Sequence, residues 1–122
     1  MISPSLFCVI LCIMNNTLTE KKCQVCEVGG AALAESDIST LMKELGGGWA
    51  VHDGKKIVKT FSFPDFKQTM VFVNKVADLA EAEGHHPDMI VSYGKTAIEL
   101  STHAVKGLSE NDFILAAKID AL

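Results

Sequence analysis

EGHHPDMIVSYGKTAIELSTH, residues 83–103, holds a helix stop, two adjacent histidines, a proline, two β-rich runs and a third histidine. Gly84 is placed to end a preceding helix. MIVSY (89–93) and TAIELSTH (96–103) are rich in β-branched residues and meet at Gly94-Lys95, which reads as a hairpin. A strand that turns back on itself ends near where it began. The start of the first run, at His85 and His86, therefore lies near the end of the second, at His103. Both places are element termini, from which side chains project into sites carried by a rigid scaffold.

Upstream, Phe66, Met70, Val73, Val76/Ala77 and Ala80 recur at helical spacing with polar residues between them, and Pro64 suits the first turn of that helix. Such a stripe is ordinarily core. Before it, KKIVKTFSF (55–63) alternates, with Ile57, Lys59, Phe61 and Phe63 on the side that should face the core. Asp53-Gly54 is a two-residue hairpin signal that joins this run to a short strand over Trp49–His52. Further back, Ile38, Leu41, Met42 and Leu45 mark a helix that Ser36 can cap and glycines 46–48 end. Downstream, Ser109 and Asp112 form a capping box that opens a last helix, so Asp112 already has a structural explanation.

The element order is α-β-β-α-β-β-α. Its economical packing is an α+β fold: one four-stranded antiparallel sheet with three helices packed on one face. The other face needs a polar coat or a partner, and Val58, Val91 and Tyr93 are placed to lie on it. At 122 residues the chain has material for one core. We expect residues 35–122 to form the domain, and residues 1–34 to be a partly disordered N-terminal extension.

That extension contains all four cysteines, at 8, 12, 23 and 26, leaving the body without a disulfide framework and pointing to a reduced, cytoplasmic setting. LFCVILCIM (6–14) is too short for a membrane span, which takes about 20 residues. It has no preceding Lys or Arg and no cleavage signature after it, so an upstream start codon with Met14 as the natural beginning competes with a targeting role. CQVC (23–26) supplies only two of the four ligands of a structural zinc site. The 11 Lys+Arg are scattered and outnumbered by 15 Asp+Glu, a net charge of −4, which argues against direct nucleic-acid binding.

Three chemistries compete for His85, His86 and His103. A histidine at a helix C-terminus can serve only as a cap. Three imidazoles can hold a catalytic zinc, although neighbouring side chains tend to diverge from one metal. Free imidazoles, with pKa values near 6.5, can act as acid and base at neutral pH.

A resemblance separates these readings. EGHHPD, then a hairpin, then STH, then GLSENDF and a helix ending AAKID, together with Gly48-Trp49 and the FSF segment at 61–63, resembles the pterin-4a-carbinolamine dehydratases over residues 36–120. The combination is specific where HHP by itself is not. The resemblance implies an enzyme that removes water from 4a-hydroxytetrahydrobiopterin to give quinonoid dihydrobiopterin, supporting tetrahydrobiopterin recycling with no metal and no cofactor. It implies that His86 and His103 serve the reacting hydroxyl and the ring proton, with His85 in binding or proton exchange. Glu81 would orient an imidazole, Pro87 would fix the backbone, and Ser101 and Thr102 would contact the pterin. Met89 stands where the family carries an aromatic residue, and His52 has no matching role. The resemblance further implies a homodimer or homotetramer, with no membrane partner. The alternatives are a zinc hydrolase and an interaction module, since animal members of the family act as dimerisation cofactors of a homeodomain transcription factor.

Overall fold

The computed structural model describes residues 18–23 and 31–122. Its elements follow the expected order: α1 (Glu35–Glu44), β1 (Ala50–His52), β2 (Lys56–Ser62), α2 (Phe66–Glu83), β3 (Asp88–Ser92), β4 (Lys95–Leu100) and α3 (Glu110–Asp120). Single 3-10 turns lie at Leu18–Glu20 and His103–Val105. The strands form one antiparallel sheet in the order β1-β2-β4-β3, so the hairpins join through β2 and β4.

Alternation decides what each strand buries. Ile57 lies opposite Leu100, Lys59 opposite Ile98, and Phe61 opposite Thr96. These six share the helix-covered face, and Ile57, Thr96, Ile98 and Leu100 are fully buried there with Val76, Phe113 and Leu115. Phe72 of α2 packs against Phe61 and Phe63, with ring centroids 4.7 and 5.0 Å apart. Lys59 is accommodated on this apolar side because its Nζ donates to Asp120 Oδ1 at 2.7 Å. Asp120 Oδ2 accepts the Trp49 indole N–H at 2.9 Å, so one carboxylate ties β2 and the end of the glycine turn to α3.

Four local readings change. Ser36 does not cap α1. The N-cap is Ala34, without a side-chain bond, because Leu33 N–H donates to Leu108 C=O at 2.9 Å and holds the chain extended up to that point. Pro64 precedes the first turn of α2, which Asp65 caps by accepting the Gln68 N–H at 2.8 Å. The first hairpin loop has three residues, since His52 pairs with Lys56 and leaves Lys55 out of the ladder. Val91 lies opposite buried Thr96 and so belongs to the helix-covered side. Ile90, opposite Ala97, takes its place on the open face with Val58 and is 59% exposed.

Most of α3 is buried all round, from Asn111 to Ala116. The described N-terminal residues account for this. Leu18 is buried against the domain, Lys21 is ion-paired with Glu110, and Cys23 Sγ donates to Asn111 C=O at 3.6 Å. Cys23 N–H and Lys118 Nζ each donate to Glu83, at 2.9 Å. Burial and the nearby Glu83 charge push the Cys23 thiol up to about 12, the opposite of what a reactive thiolate needs. Cys26 and the run LFCVILCIM lie outside the described residues.

Burial works against the charge of Glu83, but the Cys23 N–H and the Lys118 ammonium outweigh it and hold the carboxyl below its usual value of 4.5. A lowered folded-state pKa gives stability that is complete above the unfolded pKa and is lost as pH falls through the folded one. Glu83→Ala is expected to cost about 3 kcal/mol at pH 7, since it strands a largely buried Lys118. The gap between variant and parent should narrow below about pH 4.5, which urea titrations across that range would read. A gap independent of pH would remove the ion pair from the account.

Candidate functional site

The end of α2 sets the first two histidines. Gly84 adopts φ +67° and closes the helix, and His85 N–H reaches back to Ala80 C=O at 3.2 Å. This is the pattern of a Schellman motif, which needs a left-handed residue at that point and suits glycine. The chain then turns through Pro87 into β3. Continuing the register of Asp88 with Glu99 and Met89 with Ile98 backwards brings His86 level with Ser101 and His85 level with Thr102. Alternation sends the two imidazoles to different partners.

His85 goes inward. Its Nε2 lies 2.6 Å from Asp112 Oδ1, and its side chain is 12% exposed beside a fully buried carboxylate. Asp112 Oδ2 accepts from Thr102 Oγ1 at 2.8 Å and from Ser109 N–H at 2.9 Å. With its one hydroxyl hydrogen spent on Asp112, Thr102 must accept from Ser109 Oγ, 2.7 Å away. An ionised Asp112 can only accept, and the His85 tautomer that satisfies this contact is the one with the proton on Nε2, with Nδ1 on the far side of the ring.

His86 goes outward. Its Nε2 lies 2.8 Å from Glu81 Oε1, both side chains being well exposed. The Glu81 carboxylate therefore contacts His86 and not His85, the imidazole one helical turn away. Such an exposed pair adds little stability, and Nδ1 of His86 has no hydrogen-bond partner among the described residues.

His103 follows β4 in a short loop closed by a bridge between Thr102 and Gly107, whose N–H and C=O groups pair at 2.7 and 3.3 Å. Gly107 is required there, since a Cβ would come within 2.9 Å of Ala32 Cβ. The His103 ring is exposed and has no hydrogen-bond partner among the described residues. It lines an open cleft of about 300 Å³ with Ser101, Thr102, Lys55, Lys106 and Gly107.

Thus Thr102, next to His103, and His85 meet on one buried carboxylate, and Ser101 and His103 face the cleft. No imidazole hydrogen-bonds another, and among the described residues no three His, Cys, Asp or Glu side chains are grouped as a metal ion would require. Met89 is half-buried on the core side and His52 lies exposed on β1. Among the described residues no helix is long and apolar enough to cross a membrane. Asp112 is the site residue that sequence reasoning missed. Its capping role uses only one oxygen, and that second, unassigned oxygen was the available signal.

Sheet, helices and donor set define a class: small α+β proteins with imidazoles, a buried carboxylate and hydroxyls gathered at one sheet end, a set able to carry protons. The chain belongs to the pterin 4 alpha carbinolamine dehydratase family, whose model matches residues 31–122. It is 47% identical over 106 residues to a Rickettsia bellii protein and 50% identical over 105 residues to one from Nitrosomonas europaea, both named for that dehydratase activity. These alignments cover 87% and 86% of this chain and 94% and 92% of the relatives. A crystal structure of a transcriptional coactivator/pterin dehydratase from Brucella melitensis superposes with a TM-score of 0.69 at 33% identity, covering 74% of this chain and 96% of that one. A pterin dehydratase-like protein identified as a RuBisCO assembly factor in the alpha-carboxysome gives 0.53 at 26% identity, over 61% and 87%.

Proposed function

We propose that the chain is a 4a-hydroxytetrahydrobiopterin dehydratase working by histidine acid–base catalysis without a metal, in tetrahydrobiopterin recycling. The reaction breaks the C4a–O bond and forms a C4a=N5 double bond. One proton must reach the departing hydroxyl so that it leaves as water, and one must leave N5, so the proton balance is zero. An acid and a base on opposite duties suffice, each worth about 10²–10⁴-fold.

The observation that carries this reading is the contrast among the imidazoles. His86 and His103 are exposed, each with a ring nitrogen that has no partner among the described residues, and we assign the hydroxyl and the ring proton to these two. His85, held by Asp112, is placed to bind the pterin or exchange protons with it. Glu81 orients His86, Pro87 fixes the backbone between the histidines and β3, and Ser101 and Thr102 stand at the cleft to contact the pterin.

The test is direct. Purified protein should accelerate loss of synthetic 4a-hydroxytetrahydrobiopterin, followed by absorbance, and a chelator should leave the rate unchanged. No acceleration over buffer sinks the reading, and a rate restored only by added zinc would favour the hydrolase-type site instead.

A second role draws on the open sheet face, where Ile90 and Val58 lie, and on the edge of β3, which no other strand among the described residues pairs. We assign this surface to self-association into a homodimer or homotetramer, and sedimentation of a monomer at micromolar concentration would exclude it. The Brucella neighbour is described as a transcriptional coactivator and the carboxysome neighbour as an assembly factor, and a role of this surface in protein assembly is the alternative reading. A protein that lacks turnover but binds a helical dimerisation segment would establish that role over catalysis.

A further inference from the structure

We propose that the cleft beside His103 is a subsite for an anionic substituent on the pterin ring, recognised by Lys55 and Lys106. This rests on the dehydratase reading and goes further, naming the substrate class. The two lysines come from different elements. Lys55 is the residue that the first hairpin loop leaves out of the ladder, and Lys106 closes the turn after the 3-10 segment by donating its backbone N–H to His103 C=O at 3.1 Å. Both line the cleft that holds Ser101, Thr102 and His103.

Neither ammonium has an ion-pair partner among the described residues, which holds also for Lys43, Lys67, Lys75 and Lys95, but Lys55 and Lys106 alone of these line this cleft. Glu99, on the strand that leads into the cleft, is already engaged, since it accepts from Lys56 at 2.8 Å. In a chain of net charge −4, two unpaired cations on one concave wall are a local feature and not a general excess. A cleft lined by one sign of charge concentrates ligands of the other.

The backbone at Lys106 points the same way. It holds φ +54° and ψ +41°, a left-handed conformation that glycine or asparagine adopts at less cost than lysine. The turn itself therefore gives no reason for lysine. The chemistry of the ring fits the placement. C6, which carries the pterin side chain, is two bonds from the reacting C4a, so a ring presented to His103 directs its substituent along the neighbouring wall. A carboxylate or phosphate there could accept from both ammonium groups.

Fluorescence titration of the full chain with 6-carboxypterin and with neutral 6-hydroxymethylpterin tests this. At low ionic strength the carboxylate ligand should bind about tenfold more tightly, the size expected of two solvent-exposed charge contacts. The preference should shrink in about 0.5 M salt, where screening shortens to a few ångström. It should vanish in the double variant Lys55→Gln/Lys106→Asn, whose asparagine tolerates the left-handed turn. Equal affinities in the parent protein, a preference surviving in the double variant, or no binding of either pterin at about 1 mM would each overturn the subsite. Turnover of 4a-hydroxytetrahydrobiopterin, whose side chain is neutral, reports separately on the dehydratase reading. Turnover without discrimination removes the subsite alone, and discrimination without turnover removes the catalytic reading alone.

Discussion

His103→Ala is expected to lower kcat for dehydration by about 10²–10⁴-fold, the range that one positioned acid or base supplies. The fold should be untouched. The ring is exposed, has no partner among the described residues, and sits in a loop held by the backbone bridge between Thr102 and Gly107. Loss of such a side chain typically changes stability by no more than about 0.5 kcal/mol. Because the imidazole acts on a proton in flight, the loss should appear in kcat more than in KM. One limb of the pH–rate profile should disappear with it. Parent-like turnover in a folded His103→Ala protein would withdraw His103 from the chemistry.

The second large effect is expected at Asp112, which is fully buried and accepts from His85, Thr102 and Ser109 at once. Asp112→Ala removes three accepted bonds and a helix cap from the interior, and should cost about 3–5 kcal/mol, read as a lower urea midpoint. Activity in that variant confounds folding with catalysis, so Asp112→Asn is the sharper probe. An asparagine fits the same space, and its amide N–H facing His85 forces Nε2 to accept. The proton then moves to Nδ1 of His85. We expect Asp112→Asn to remain folded while kcat falls about tenfold to a hundredfold, the penalty of a misdirected reacting group. Nitrogen NMR of the His85 ring would show the exchanged tautomer. An unchanged tautomer and an unchanged rate would make Asp112 purely a cap.

Within the fold, the readings that succeeded rested on neighbours in sequence. Alternation along 55–63 placed Ile57 and Phe61 on the core side, and Gly84 ended α2 with the left-handed backbone that such a stop requires. The hairpin between β3 and β4 followed from two β-rich runs meeting near Gly94, although Ser92 pairs with Lys95, so the turn is Tyr93-Gly94 and lies one residue earlier than the expected Gly94-Lys95. Readings failed where a distant residue intervened. Ser36 is a good cap on paper, yet a bond from Leu33 to Leu108 starts α1 earlier. The third residue in the first loop, Lys55, is invisible in the Asp53-Gly54 signal because the pairing partner, not the turn, sets the count.

The site divides in the same way. The three histidines, and their position at element ends, were legible because a hairpin's return is a local property of the chain. Which neighbour each imidazole meets was not legible. The pleat turns His85 inward and His86 outward, and Asp112, 27 residues further on, completes the His85 pair. By itself, the sequence determined the order of elements, the antiparallel pairing within each hairpin and the identity of the candidate proton carriers. Only the tertiary structure decided that β2 and β4 join, that residues 18–23 cover α3, and that one buried carboxylate serves both as a cap and as a histidine partner. The reason is physical: periodicity and turn chemistry act over a few residues, whereas a buried hydrogen bond is set by whichever donors the packed fold brings within about 3 Å.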